Sequence, residues 1–137
     1  MGFEDSFADV QSDYISLCLE YGGENVHKVF AYVYQTDSLR MFNAFFEKDG
    51  SIIAAGNIGT DEEADEFMSV GRDDIDKIRT VCEKYGQKCP NEIRMIYDVK
   101  TKQYDATVGY EDYSLKDKTT PMTEFLNWYR SVKKSYQ

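Results

Sequence analysis

The sequence predicts an α+β fold: an antiparallel sheet of about five strands with helices packed against one face, in the order α-β-β-β-α-β-β-α. Three observations carry this. Apolar residues repeat at helical spacing in three separate stretches. Two stretches late in the chain alternate with a period of two across a polar turn. Strands also fall in adjacent runs, unlike the strict β-α-β alternation that builds parallel sheets.

The first helix is expected over residues 3–21. Phe3, Phe7, Val10, Tyr14, Leu17 and Tyr21 form its stripe, which Cys18 widens, and Gly22-Gly23 ends it. Asp5 and Asp9 sit near its start, where the helix dipole favours negative charge. Residues 27–34 are almost all aromatic or β-branched, so that strand is expected to be covered on both faces, at least in part. Residues 39–46 form the next strand, with Phe42, Ala44 and Phe46 on one face and Leu39, Met41 and Phe45 on the other. Lys48-Asp49-Gly50-Ser51 is a turn, and residues 51–55 form the third strand.

Residues 57–71 are acidic without a clear period and read as a loop with at most one short helical turn. A second helix follows over about residues 72–85, with Ile75, Ile78, Val81, Cys82 and Tyr85 as its stripe and Gly86 as its stop. Ile93, Met95, Tyr97 and Val99 then alternate with Glu92, Arg94, Ile96 and Asp98. Lys100-Thr101-Lys102-Gln103 turns the chain, and Tyr104, Ala106, Val108 and Tyr110 alternate in return. This hairpin is expected to keep one wet face. The last helix opens with Thr120 as N-cap and Pro121 in its first turn, and Met122, Phe125, Trp128, Tyr129, Val132 and Tyr136 form its apolar side. No internal repeat or second domain is visible, so residues 1–137 read as one domain of ordinary size.

Composition narrows the function. With 15% aromatic residues the chain is not of the disordered class, which is poor in aromatics. The formal charge of −9 repels nucleic acid and anionic lipid, so neither is an expected partner. It suits a basic protein, although acidity serves solubility equally well. The charge is uneven: residues 114–137 carry a net +3 and the remainder −12, while residues 57–76 alone hold −7. Three cysteines, an odd number, argue against a disulfide framework and for a reducing compartment. The N-terminus has neither the basic nor the apolar region of a signal peptide, and no stretch approaches the ~20 apolar residues of a membrane span, so a cytoplasmic location is expected. Gly2 with Ser6 matches the myristoylation pattern only loosely.

Catalytic signatures are missing. Walker A, G-x-G-x-x-G, H-E-x-x-H and G-x-S-x-G motifs do not occur. The lone histidine, His27, accompanies no recognisable nucleophile, and Cys82 and Cys89 lack the second Cys/His pair of a zinc site. Residues 61–66 lack the alternating ligands and central Gly of an EF-hand. No catalytic residue, metal or cofactor is therefore assigned. The candidate site is a partner-binding acidic patch: Asp61, Glu62, Glu63, Asp65, Glu66, Asp73 and Asp74, joined by Glu111 and Asp112 after the hairpin.

The second half resembles a known family. Ile93-Arg94-Met95-Ile96-Tyr97-Asp98, a polar turn, and the strand from Tyr104 into the aromatic–Glu–Asp step Tyr110-Glu111-Asp112 are similar to the hairpin of YezG-like immunity proteins. A Trp-bearing helix follows there as here, with Trp128 in Phe125-Leu126-Asn127-Trp128-Tyr129. The first half matches in layout, but a Trp expected before the first strand is absent. The resemblance implies an antitoxin of bacterial polymorphic toxin systems. Such a protein binds and neutralises a cognate secreted toxin, commonly a nuclease with a basic toxin domain, and has no catalysis of its own. The alternative is a cytosolic adaptor or regulatory module unrelated to toxins. Oligomeric state, toxin identity and mode of inhibition are left open.

Overall fold

The computed structural model describes residues 2–115 and 119–137. Lys116 and Lys118, which contribute to the basic C-terminal balance, lie outside the described residues. The elements are α1 (Phe3–Gly22), β1 (Val26–Gln35), β2 (Arg40–Lys48), β3 (Ser51–Ala54), α2 (Asp61–Asp73), α3 (Ile75–Lys84), β4 (Glu92–Asp98), β5 (Tyr104–Gly109) and α4 (Pro121–Ser135), with short 3₁₀ turns at Ala55–Asn57 and Tyr113–Leu115. The strands form one antiparallel five-stranded sheet in the order β3-β2-β1-β4-β5.

Local chemistry sets the elements. Asp49 and Gly50 both adopt positive φ, at 52° and 85°, which is the two-residue turn whose twist matches the flanking strands, and Lys48 pairs directly with Ser51. Thr36 closes the β1–β2 connection, its hydroxyl accepting from the amides of Ser38 and Leu39 at 3.2 and 3.0 Å. Thr120 caps α4 by accepting from the Thr123 amide at 3.1 Å, with Pro121 in the first turn.

The strands divide the core in two. Val29, Ala31 and Val33 of β1, Phe42, Ala44 and Phe46 of β2, and Ile93 and Met95 of β4 face α1, α2 and α3. Phe30, Tyr32, Tyr34, Phe45 and Ile52 face α4, where Phe125 packs and Trp128 and Tyr129 border. The helices thus cover both faces, which corrects the expectation of one covered face. The reason is in β1: every residue from Val29 to Gln35 is buried, so each face of the central strand needs a lid.

Two further expectations are corrected. The acidic residues 61–71 are a helix, not a loop. Thr60 accepts from the Glu63 amide at 3.1 Å while Glu63 accepts from the Thr60 amide at 2.9 Å, a complete capping box. The stripe behind it is only Ala64, Phe67 and Gly71, half-hidden among carboxylates. Gly71 is there because a Cβ would sit 2.0 Å from the Phe42 ring, and its carbonyl accepts from the Tyr14 hydroxyl at 2.8 Å. The next helix accordingly begins at Ile75, not Arg72, with Asp74 at the break. Secondly, β5 has no dry face: residues 104–108 are all exposed.

Candidate functional site

The sheet's three-helix face carries the acidic patch. On α2, Asp61, Glu62, Glu63, Asp65, Glu66 and Asp73 are all exposed, against a single basic residue, Arg72. Beside it, α1 presents Glu4, Asp5, Asp9, Asp13 and Glu20, all exposed, and no basic residue. Sequence reasoning did not join these α1 carboxylates to the patch, and placed Asp5 and Asp9 only as charges at the helix start. The signal was available, because every charged position on the polar side of that helical stripe is acidic.

The patch residues do not all do the same work. Glu63 is committed to the cap, and its hydrogen bonds with Thr60 hold its carboxyl below the usual carboxylate range. Asp74 is half-buried at the α2–α3 break, 3.5 Å from Lys77 Nζ. Asp61, Glu62, Asp65 and Glu66 point to solvent and are free to meet a partner.

Between α1 and α2 lies a groove of about 580 Å³. Leu17, Tyr21, Ile58, Phe67 and Val70 line it, and Glu20, Glu63 and Glu66 stand at its rim. The Tyr21 and Phe67 rings stack at 4.2 Å to make its floor. The Tyr21 hydroxyl donates to the Ala55 carbonyl at 2.6 Å, which fixes the ring. The arrangement offers apolar anchoring inside an anionic rim, the combination that gives an interface both a desolvated centre and steering charge.

Glu111 and Asp112 do not join this patch. They follow β5, whereas α2 packs on β2, and β1 and β4 lie between. At ~4.8 Å per strand the separation across the sheet is about 14 Å. Asp112 is occupied locally, accepting from Ser114 N and Oγ at 3.0 and 2.6 Å to shape the turn after β5.

A polar cluster lies under α4, unforeseen from sequence. Glu92 Oε2 accepts from the Tyr32 and Tyr113 hydroxyls at 2.5 and 2.8 Å. Arg94 sits over the Trp128 ring at 5.6 Å, and its terminal nitrogen is 3.5 Å from Glu124 Oε1. Arg94 Nε is 3.5 Å from Glu92 Oε1 but is not aligned for a hydrogen bond. Burial, then the Glu92 carboxylate, push both phenols above their ordinary range. Held protonated and tied to Glu92, they fasten β1, β4 and the turn after β5 together.

A polar cleft of about 390 Å³ opens near the end of β1, bounded by Gln35, Arg79, Cys89 and Asp112. Arg79 is engaged by Gln35 and, at 2.7 Å, by Asp37. Burial and the neighbouring Cys82 push the Cys89 thiol up to about 12, the reverse of an activated cysteine. His27 is exposed, 3.6 Å from Asp49. Among the described residues no group of three His, Cys, Asp or Glu is arranged to hold a metal ion, and no helix is long and apolar enough to cross a membrane. No family model matches the chain, and no curated protein is detectably similar to it in sequence.

Proposed function

We propose that this chain is an inhibitory binding protein of the immunity type, which neutralises a basic protein toxin by covering it with the α1–α2 layer. The observation that carries the reading is the charge of that layer: α1 and α2 expose carboxylates along their length and hold one basic residue of their own, Arg72, while Lys77 of α3 reaches Asp13 at 3.6 Å. A nuclease is the favoured class of toxin, because sites that grip phosphate are cationic and an anionic inhibitor is complementary to them. The resemblance of the β4–β5 hairpin and the α4 tryptophan to YezG-like immunity proteins supports the same reading. Catalysis forms no part of it, and the chemistry stays with the partner.

The apolar side chains in the groove support tight binding as well as fast binding. Rim charges accelerate encounter, whereas slow dissociation needs buried anchors. Phe67 and Tyr21 at the floor with Val70 and Leu17 at the walls can receive an apolar side chain from the partner.

The test uses the tagged chain to capture its partner from the native lysate, followed by association kinetics with that partner. Replacing Asp61, Glu62, Asp65 and Glu66 together with Ser, leaving the Glu63 cap intact, is expected to slow association by on the order of tenfold or more at low salt and to flatten its salt dependence. Unchanged kinetics would remove this surface from the interface. Recovery of only assorted housekeeping proteins, with no protection of toxin-expressing cells, would overturn the immunity reading.

A further inference from the structure

The two edges of the sheet are finished differently. β3 is four residues long, with Ile52 buried against the α4 side. β5 is six residues long, exposed on both faces, and contains no Pro, Lys or Arg; Asp105 is its one charged residue. Its helix-side positions are nevertheless apolar, with Tyr104 38% and Val108 40% exposed on either side of Ala106.

The hydrogen-bond phase of β5 shows what its free edge offers. The Gln103 carbonyl accepts from Asp98 N at 2.9 Å and the Gly109 carbonyl from Asn91 N at 2.8 Å, so both point at β4. Antiparallel ladders alternate, so Asp105 and Thr107 also point inward, while the N–H and C=O groups of Tyr104, Ala106 and Val108 point away from the sheet. The same three residues therefore present both the open backbone groups and the apolar side chains.

We infer that β5 pairs with β5 of a second copy of this chain, antiparallel about a twofold axis at Ala106, to give a continuous ten-stranded sheet. This register sets Tyr104 opposite Val108 of the second copy, Ala106 opposite its own equivalent and Asp105 opposite Thr107. Every outward backbone group from 104 to 108 then finds a partner, and no two carboxylates face each other. A register one residue toward the N-terminus would oppose Asp105 to itself.

Charge permits the same surface. Each copy carries −9, so two like acidic surfaces repel. An uncharged area adjoins β5. A groove of about 340 Å³ between α1 and the β4–β5 hairpin, floored by Ile15, Leu19, Tyr97 and Tyr104, has no charged lining residue. The register also brings the Lys100–Lys102 turn of each copy alongside the Tyr110-Glu111-Asp112 step of the other, basic against acidic, twice by symmetry. This pairing stands apart from the α1–α2 groove and does not depend on what that groove binds.

The test is the mass of the full chain in solution by sedimentation equilibrium. The wild type is expected to reach twice the chain mass as concentration rises. Ala106→Pro removes only an outward N–H, a position where an edge strand tolerates proline. It is expected to weaken association on the order of tenfold to a hundredfold, because the twofold axis doubles the loss. Val108→Lys, a side-chain change that leaves the backbone intact, is expected to do the same and decides the matter if the proline variant does not fold. Amide exchange at Tyr104, Ala106 and Val108 is expected to slow with increasing protein concentration, while Asp105 and Thr107 stay protected throughout. A single-chain mass at every concentration, or a dimer indifferent to both substitutions, would overturn the pairing.

Discussion

The two faces of the sheet solve one problem in opposite ways. On the α1–α3 side, three helices press small and branched residues such as Val29, Ala31, Val33 and Ala44 into a close fit, and Gly71 lets α2 ride directly on the Phe42 ring. On the other side α4, about 22 Å long for its fifteen residues, is the one helix over a smaller core. Large rings make up the difference: Phe45 stacks on Phe30 at 4.6 Å and meets Trp128, Tyr129 and Phe125 edge-on at 5.0, 5.3 and 5.8 Å. The three-helix layer mixes small and branched side chains with the rings of Tyr14, Phe42, Phe46 and Phe67, whereas the single-helix layer is filled almost entirely by rings.

The largest expected effect follows from that contrast. Phe45→Ala should cost about 4 kcal/mol in a urea titration, because the rings of α4 share it as a common neighbour. Trp128 fluorescence should shift to the red before the far-ultraviolet signal is lost, reporting release of α4 first. Coincident transitions would mean that α4 is not separately held. On the opposite face Gly71→Ala should cost about 3 kcal/mol, since the added methyl group collides with the Phe42 ring and α2 has to lift. A neutral Gly71→Ala would show that the helical layer is looser than the sheet beneath it.

Tyr32→Phe should cost about 2 kcal/mol by removing one of the two phenolic donors to the Glu92 carboxylate. It should also change the alkaline limb of stability. Tyr32, Tyr34 and Tyr113 on the α4 side are all held protonated above their ordinary range, as are Tyr14 and Tyr104 on the other. Unfolded phenols ionise near pH ~10 while the folded ones resist, so this stabilisation is complete below that pH and declines above it. Thermal melts of Tyr32→Phe should decline less steeply above pH ~10 than those of the wild type.

The smallest effect belongs to the acidic side. Thr60→Ala should cost about 1 kcal/mol by deleting the α2 cap. The lowered Glu63 carboxyl has the opposite pH sense to the phenols. Its contribution is present above the ordinary carboxylate range and is lost as pH falls through the folded value, so wild type and Glu63→Gln should converge in acid.

Most of the framework was legible in the sequence. The period of two in residues 93–110 marked β4 and β5, and Thr120-Pro121 marked the start of α4, because in both cases local chemistry and tertiary burial agree. The second helical layer was harder to read. In α2 a stripe of Ala64, Phe67 and Gly71 carries little hydrophobic signal, and Gly71 itself disfavours a helix until Phe42 lies beneath it. The capping box Thr60-Asp61-Glu62-Glu63 was the local sign of a helix start that the loop reading passed over. For the candidate site, charge composition identified the α2 carboxylates. The separation of Glu111 and Asp112 from them is set by strand order, which depends on β4 inserting between β1 and β5, and no local pattern encodes that.

That insertion also orders events in time. β1 pairs with β2 across a short turn, but its other edge waits for β4, with Lys28 matched to Asp98 across about half of the chain. During synthesis the ribosome delivers β1, β2 and β3 as a meander whose innermost strand is still an outer one. The strand with the least solvent contact in the finished molecule is therefore the one left longest without its second neighbour, and the window closes only when residues 92–98 have emerged. Factors that lengthen the window, such as slow translation through α2 and α3 or a destabilised β4–β5 hairpin, should lower the yield of native chain without changing the stability of molecules that complete the sheet.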